Sequence, residues 1–227
     1  KAHGFARGLT NYGDFDFSLY LRRSFASSMG YSQDVLKKPI VGIANSFSGF
    51  NNCHRHFPEL LEAVKRGVLL GGGLPVEFPT ISLGEVFLSP TSLKFRNLMS
   101  MDTEEMIRAQ PMDAVVLMGG CDKTTPGLAM GAVSMGLPFV FLPAGPMLRG
   151  NYRGETLGSG SDSWKYWDNR RAGQISDKEW QGVEGGIARS YGHCMTMGTA
   201  STMTSIAEAM GLTLPGATSI PAPDANH

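Results

Sequence analysis

Neither sign of charge predominates in this sequence. Twenty lysines and arginines face twenty aspartates and glutamates, for a formal net charge of zero. No broad electrostatic field therefore exists to draw nucleic acid or an anionic membrane, and any anion site must be local. Long hydrophobic runs are missing too: no apolar stretch approaches the ~20 residues that span a bilayer. The opening residues, Lys1-Ala-His-Gly-Phe-Ala-Arg7, contain no apolar core of the secretory kind. Cysteine is scarce. Cys53, Cys121 and Cys194 are an odd number, too few for a disulfide framework and too far apart for a zinc knuckle. A reducing, cytoplasmic setting is the natural expectation. What is present is ordinary for a soluble chain: 42% apolar and 18% charged residues over 227 positions, enough to bury a substantial core. Glycine alone is in excess, 29 residues and about twice the usual share. Many of these glycines sit where strands and turns are expected, which suits backbone that must approach a neighbour or ligand closely.

Residues 1–38 are mixed and aromatic-rich, with a helix expected over Phe17–Met29 and closed by Gly30. They read as a cap or interface segment, and residues 39–227 as one α/β domain. Organised pattern starts at Pro39–Ala44, a short apolar run suited to a buried parallel strand. Further strands are expected at Leu74–Ser82, Ala114–Met118 and Pro138–Leu142. Helical spacing fills His54–Leu70, ended by Gly71-Gly72-Gly73, and Leu128–Met135, ended by Gly136. Two separate helices are expected at Thr91–Met99 and Asp102–Ala109, the second opened by Asp102 with Glu105 as a capping box. Arg149–Asp168 reads as a Gly/Ser/Trp-rich loop. Ser176-Asp-Lys-Glu179 opens a helix reaching about Ser190, and Ala200–Met210 forms another, closed by Gly211. Alternation of strand and helix predicts a parallel sheet flanked by helices, with right-handed crossovers.

The stretch Gly119-Gly-Cys-Asp-Lys-Thr-Thr-Pro-Gly127 lies where the third strand gives way to a helix. Open α/β sheets place ligands beyond the carboxyl ends of their strands. The following helix adds unpaired N–H groups and a positive dipole end, which stabilise a thiolate. Cys53, Glu85 and Cys121 each follow a different strand, so residues distant in sequence are expected to converge on one edge. Cys194, in Gly192-His-Cys-Met-Thr-Met-Gly-Thr199, also precedes a helix. Most free cysteines are merely small buried hydrophobes, but all three here sit in polar, strand-end or helix-start surroundings. Three thiolates without a fourth suit an iron–sulfur cluster with one open iron position, or a zinc with one open site. Glu85, Asp122 and Lys123 could add the hard donors that magnesium prefers. Lys123 would qualify only if neutral or carbamylated; otherwise a salt bridge to Asp122 or Glu85 accounts for it. Ser46, Ser48 and Thr199 are candidates for contact with substrate or cluster, although turn formation explains them equally well. His54, His56 and His193 flank cysteines, yet the thiolates suffice without them, and local hydrogen bonding is the better reading of His54 and His56.

The block Cys121-Asp-Lys-Thr-Thr-Pro-Gly-Leu-Ala-Met130 resembles the signature of the dihydroxy-acid and sugar-acid dehydratase family. Supporting matches are Gly42-Ile-Ala-Asn-Ser46 with Asn52-Cys53, Ala63-Val-Lys-Arg-Gly67 with Gly72-Gly73, and Gly145-Pro-Met147. Gly192–Met203 and Glu208-Ala-Met-Gly-Leu212 complete a resemblance that runs from about residue 39 to the end. It implies that Cys53, Cys121 and Cys194 hold a 2Fe-2S cluster. It further implies that Glu85, Asp122 and carbamylated Lys123 bind Mg2+ beside it. The implied activity is hydro-lyase chemistry on a polyhydroxy acid, with the cluster as Lewis acid, giving a 2-keto acid. Hydroxide is a poor leaving group, and coordination to a cation stabilises its developing charge.

The Cys-Asp-Lys-Thr-Thr-Pro form, the Cys194–Met203 form and Ser89–Asn97 resemble the aldonate (arabinonate or xylonate) branch. The alternatives are a dihydroxy-acid dehydratase of branched-chain amino-acid synthesis and a non-catalytic Fe–S redox module; a zinc hydrolase is weaker. A homodimer or homotetramer is the family expectation. Family members carry a further C-terminal domain with the proposed base, to which nothing here corresponds. These 227 residues alone are therefore expected to be inactive, and no serine here is nominated as the base.

Overall fold

Four short apolar runs become one parallel sheet. In the computed structural model these are β1 (Ile40–Asn45), β2 (Leu74–Pro79), β3 (Ala114–Gly119) and β4 (Phe139–Pro143), in the order β2-β1-β3-β4. All three pairings are parallel, with Val41–Asn45 opposite Ala114–Met118 and Val115–Gly119 opposite Phe139–Pro143. The structure describes residues 2–9 and 11–227; Lys1 and Thr10, within the expected cap segment, lie outside the described residues. Alternate residues of each strand serve two cores, as period-2 geometry requires. Ile40, Ala44, Val115, Leu117 and Phe141 pack against Met99, Ile107, Leu128 and Ala132 on one face. Ile43, Val116 and Met118 pack against Phe57 and Leu61 on the other. Helices on both faces, α2 (Phe57–Leu70) opposite α3 (Arg96–Ala109) and α4 (Thr124–Met135), make this the expected α/β fold. Among the described residues, no helix is long and apolar enough to cross a membrane.

Several element boundaries differ from expectation. The chain between 91 and 109 is a 3-10 turn, Ser92–Phe95, running into the single helix α3. Asp102 does not cap a second helix, because its carboxylate accepts the Ile81 N–H at 3.0 Å. A capping pattern therefore lies in mid-helix, spent on a tertiary contact. β2 stops at Pro79 rather than Ser82, since its partner β1 ends at Asn45. The expected loop 149–168 instead holds an antiparallel hairpin, β5 (Gly150–Tyr152) and β6 (Glu155–Leu157), followed by α5 (Ser161–Arg171). The hairpin turns on Arg153 and Gly154, both with positive φ. A two-residue turn of that kind matches strand twist. The helix opened by Ser176 is α6 (Asp177–Ile187), with the Ser176–Glu179 capping box formed, and α7 spans Thr199–Ala209.

The N-terminal helix α1 (Phe15–Ser28) is capped by Asp14, which accepts the Phe17 N–H at 2.7 Å. Its segment is fastened to the sheet by Asp113, whose carboxylate accepts the N–H groups of Gly4 at 2.7 Å and Ile40 at 2.8 Å.

α4 sits close against α3 because Gly131 has no side chain. A Cβ there would fall 2.5 Å from the Ser100 carbonyl oxygen and 2.8 Å from Thr103 Cβ. Overpacking a backbone contact of this kind costs about 1–3 kcal/mol. Gly131→Val is therefore expected to lower the urea midpoint by a corresponding amount, and an unchanged midpoint would contradict this packing.

Candidate functional site

The strand order places a switch point between β1 and β3, where the chain departs toward opposite edges of the sheet. A crevice opens beyond the carboxyl ends of such strands. The loop after β1 carries Cys53, and the turn after β3 carries Cys121. That turn is shorter than expected, since α4 starts at Thr124 rather than Leu128. The two sulfurs lie 3.4 Å apart, and both side chains are buried.

Cys194 arrives from a separate direction. Its loop is pinned beside the end of β4 by backbone bonds: His193 N–H donates to Gly145 O at 3.0 Å, and Met147 N–H donates to His193 O at 2.8 Å. This short bridge, absent from any sequence pattern, brings the third cysteine to the others. Cys53, Cys121 and Cys194 line one cavity of about 400 Å³, together with Glu85, Asp122 and Thr199. Ser159, Gly160 and Thr196 add polar wall, while Val86, Met147 and Ile187 add an apolar side. Sequence reasoning missed Ser159 and Gly160, which belong to the segment read as loop; Gly158-Ser-Gly160 before a helix was the available signal.

The remaining candidates are distributed differently. Lys123 sits outside the cavity wall, with its ammonium against Asp122 Oδ2 at 2.5 Å. The salt-bridge alternative is the arrangement this structure contains. Asp122 Oδ1 is buried and, among the described residues, has no hydrogen-bond partner. Ser46 is wholly buried beneath the turn, where its hydroxyl donates to Met118 O at 2.6 Å. Ser48 accepts the Phe50 N–H at 3.1 Å. Neither serine lines the cavity, because both are consumed in shaping the loop after β1. Among the described residues, no group of three or more His, Cys, Asp and Glu side chains is drawn together tightly enough to hold a lone metal ion.

Beneath the cysteines lies a polar framework. Asn51 accepts the Cys53 N–H at 3.1 Å and donates to Ser82 Oγ at 3.0 Å, tying the loops after β1 and β2. His54 is fully buried. Its Nε2 accepts from the Gly120 and Cys121 N–H groups at 3.1 and 3.2 Å, and its Nδ1–H donates to Ser46 O at 2.8 Å. The expected local bond of His54 exists, and the long-range pair to Gly120 and Cys121 is the part that sequence does not reveal. Burial pushes the imidazole of His54 down to about 3 and that of His56 to about 4, so both are neutral supports. The Cys53 thiol is pushed up by its hydrogen bond to Cys121 and by burial. Cys121 is held below the usual thiol range by that hydrogen bond, aided by the N–H groups of Glu85 and Asp122.

Residues 38–227 match the family described as dihydroxy-acid/6-phosphogluconate dehydratase N-terminal. The chain is 53% identical over 195 residues to a 6-deoxy-6-sulfo-D-gluconate dehydratase of Pseudomonas putida, covering 86% of this chain and 34% of that protein. It is 44% identical to an L-arabinonate dehydratase of Rhizobium leguminosarum bv. trifolii, over 95% of this chain and 38% of the relative. To a dihydroxy-acid dehydratase of Clostridium novyi it is 36% identical, over 88% and 37%. The chain thus spans little more than a third of the length of these relatives.

Cys194 is exposed, whereas Cys53 and Cys121 are buried. In the metal-free folded chain, iodoacetamide is expected to modify Cys194 alone, and all three thiols once the chain is denatured. Mass spectrometry of the alkylated peptides checks this. Rapid native modification of Cys53 would contradict the described burial.

Proposed function

The chain belongs to the dihydroxy-acid/6-phosphogluconate dehydratase family, and from that premise we propose that it forms the cofactor-binding part of a hydro-lyase that dehydrates a sugar acid. The observation that carries this reading is the convergence of three thiols, Glu85 and an unpartnered carboxylate oxygen of Asp122 on one cavity. Higher identity to the sugar-acid dehydratases than to the dihydroxy-acid dehydratase supports an aldonate, giving a 2-keto-3-deoxy acid, over the branched-chain precursor.

The donor set suits the two groups that the resemblance implies. Cys53, Cys121 and Cys194 would hold a 2Fe-2S cluster as thiolates, leaving one iron position open. Asp122 Oδ1, buried and without a partner among the described residues, would suit a cation, and Glu85 lines the same cavity. Lys123 would join them as a carbamate: its neutral amine adds to CO2, an N–C bond forms and a proton leaves. Its ammonium charge, now set against Asp122, would then be replaced by a further anionic oxygen donor. When bound, the cluster and Mg2+ supply two Lewis acids, one for the departing hydroxyl and one for the carboxylate end of the substrate.

The chain's own residues supply the rest of this half of the site. Thr199, Ser159 and Thr196 line the cavity, with the Ser159 hydroxyl donating to Thr196 Oγ1 at 3.3 Å, and would offer hydroxyl groups to a polyhydroxy substrate. On the apolar side Met147 is buried and Ile187 half-buried, while Val86 stands exposed at the rim. No lining side chain is a histidine, and none of the lining hydroxyls is assigned the C2 proton. Against an Fe–S redox module stands the hard-donor pair Glu85 and Asp122, for which an electron carrier has no use.

The test is anaerobic reconstitution of the full-length protein with ferrous iron, sulfide and Mg2+. Pentonates, hexonates, a 6-sulfohexonate and dihydroxyisovalerate are then offered, and 2-keto acid formation is measured. Cys121→Ser should lose visible cluster absorbance and activity together, by at least the roughly 10- to 100-fold that disturbing even an outer-shell partner costs. Activity retained without the absorbance would refute the assignment, and so would a reversible reduction with no 2-keto acid from any substrate.

A further inference from the structure

His54 has a geometry that neither helix initiation nor metal ligation explains. It directly follows Cys53 in the chain, yet its imidazole is bonded to the turn that carries Cys121. Nε2 receives the N–H groups of both Gly120 and Cys121, while Nδ1 reaches the Ser46 carbonyl at the end of β1. The ring is stacked on Phe57 at 4.3 Å with 9° between the planes, so the first turn of α2 sets its orientation. It has no exposed surface. A neutral imidazole offers one donor and one acceptor on opposite sides of a rigid ring. Here the two amide donors require a bare Nε2, and the carbonyl requires a proton on Nδ1.

The contact is more than a filler of space. Cys121 N–H has a second acceptor in Thr124 Oγ1 at 2.9 Å, but Gly120 N–H reaches that hydroxyl only at 3.4 Å. For Gly120, His54 is the better partner. On its other side the Gly120 backbone is pressed against Ala144: an added Cβ would fall 2.7 Å from Ala144 N and 2.4 Å from Ala144 Cβ. The turn is therefore held from both sides, and the spacing of the two buried sulfurs follows from where it is held.

We infer that His54 is a positioning residue: in its Nδ1–H form it staples the Cys53 loop to the Cys121 turn and thereby presets the two buried thiols for a shared cofactor. The bearing on a cluster rests on the function proposed above, whereas the staple itself does not. Second partners that orient ligands in this way set metal affinity without touching the metal. His54 acts on Cys121 through the Gly120 and Cys121 amides and does not contact substrate.

Two measurements on the full-length protein decide it. In the iron-free form with 15N-labelled histidine, the His54 ring should show a protonated Nδ1 and a bare Nε2. The amides of Gly120 and Cys121 should be among the slowest to exchange with deuterium. A proton on Nε2, or rapid exchange of both amides in the folded protein, overturns the inference. The second measurement compares two variants after anaerobic reconstitution with ferrous iron and sulfide. His54→Gln sets an amide oxygen near the place of Nε2 and keeps the acceptor. His54→Asn sets its amide near the place of Nδ1 and keeps only the donor. His54→Gln should retain the visible absorbance and the electron paramagnetic resonance signal of the reduced cluster. His54→Asn should bind iron and sulfide about 10- to 100-fold more weakly while remaining folded. Equal retention, or equal loss, in two folded variants overturns the inference. If neither variant folds, the ring shifts and exchange rates of the unaltered protein decide between support and refutation. If the unaltered protein takes up no cluster, the cofactor assignment fails, and those same shifts and rates still judge the staple.

Discussion

The backbone at Gly120 is the constraint on which the site depends. It lies between the ring of His54 and the backbone of Ala144, with no room for a side chain. Three loops from different strands meet there, and each would carry buried polar backbone that must find partners. The partners come both from across loops and from within the turn: His54 from the β1 loop, Thr124 three residues on at the start of α4, and Gly119 O accepting the Ala144 N–H at 3.1 Å. Leaving one such buried donor unsatisfied costs about 1–3 kcal/mol. Satisfying all of them at once leaves little freedom in where Cys121 can stand.

From that fixed point the other features follow in order. The parallel sheet brings the ends of β1 and β3 side by side, so Cys53 and Cys121 become neighbours. The backbone bridge between Pro146 and His193 delivers Cys194. Cys121 and Asp122 are adjacent in sequence, one soft donor and one hard, and both face the same cavity. A single turn can in this way serve two different kinds of ligand without any change of fold. The unpartnered Asp122 oxygen is a polar group at the cavity whose requirement the described residues do not meet.

Much of the architecture is legible in the sequence because hydrophobic periodicity reports burial directly. Strands flanked on both sides by helices read as short continuous apolar runs, and all four lie within a few residues of where those runs put them. The Ser176–Glu179 box is legible for a local reason, since both of its bonds close within one turn of helix. Where a residue's partner is distant, the same kind of pattern misleads. Asp102 looks like a helix cap and instead receives the Ile81 N–H. Ser46 looks like a residue of the crevice and instead supports its floor. The segment 149–171 is polar, with no apolar stripe to announce α5, and it is ordered through contacts that no local pattern records.

By itself, the sequence determined which residue types could meet: three thiols, two carboxylates and a lysine, placed after strand ends or before helices, on a chain whose alternation demands a parallel sheet. Those are properties of short stretches and of spacing. Only the tertiary structure decided the distances. It set Cys53 3.4 Å from Cys121, drew Cys194 to the same cavity, and placed His54 against a turn 66 residues away. The physical reason is that such contacts are selected by the need of buried amides and carboxylates for partners. That need is met by whatever folding brings near, and proximity of this kind has no period in the sequence.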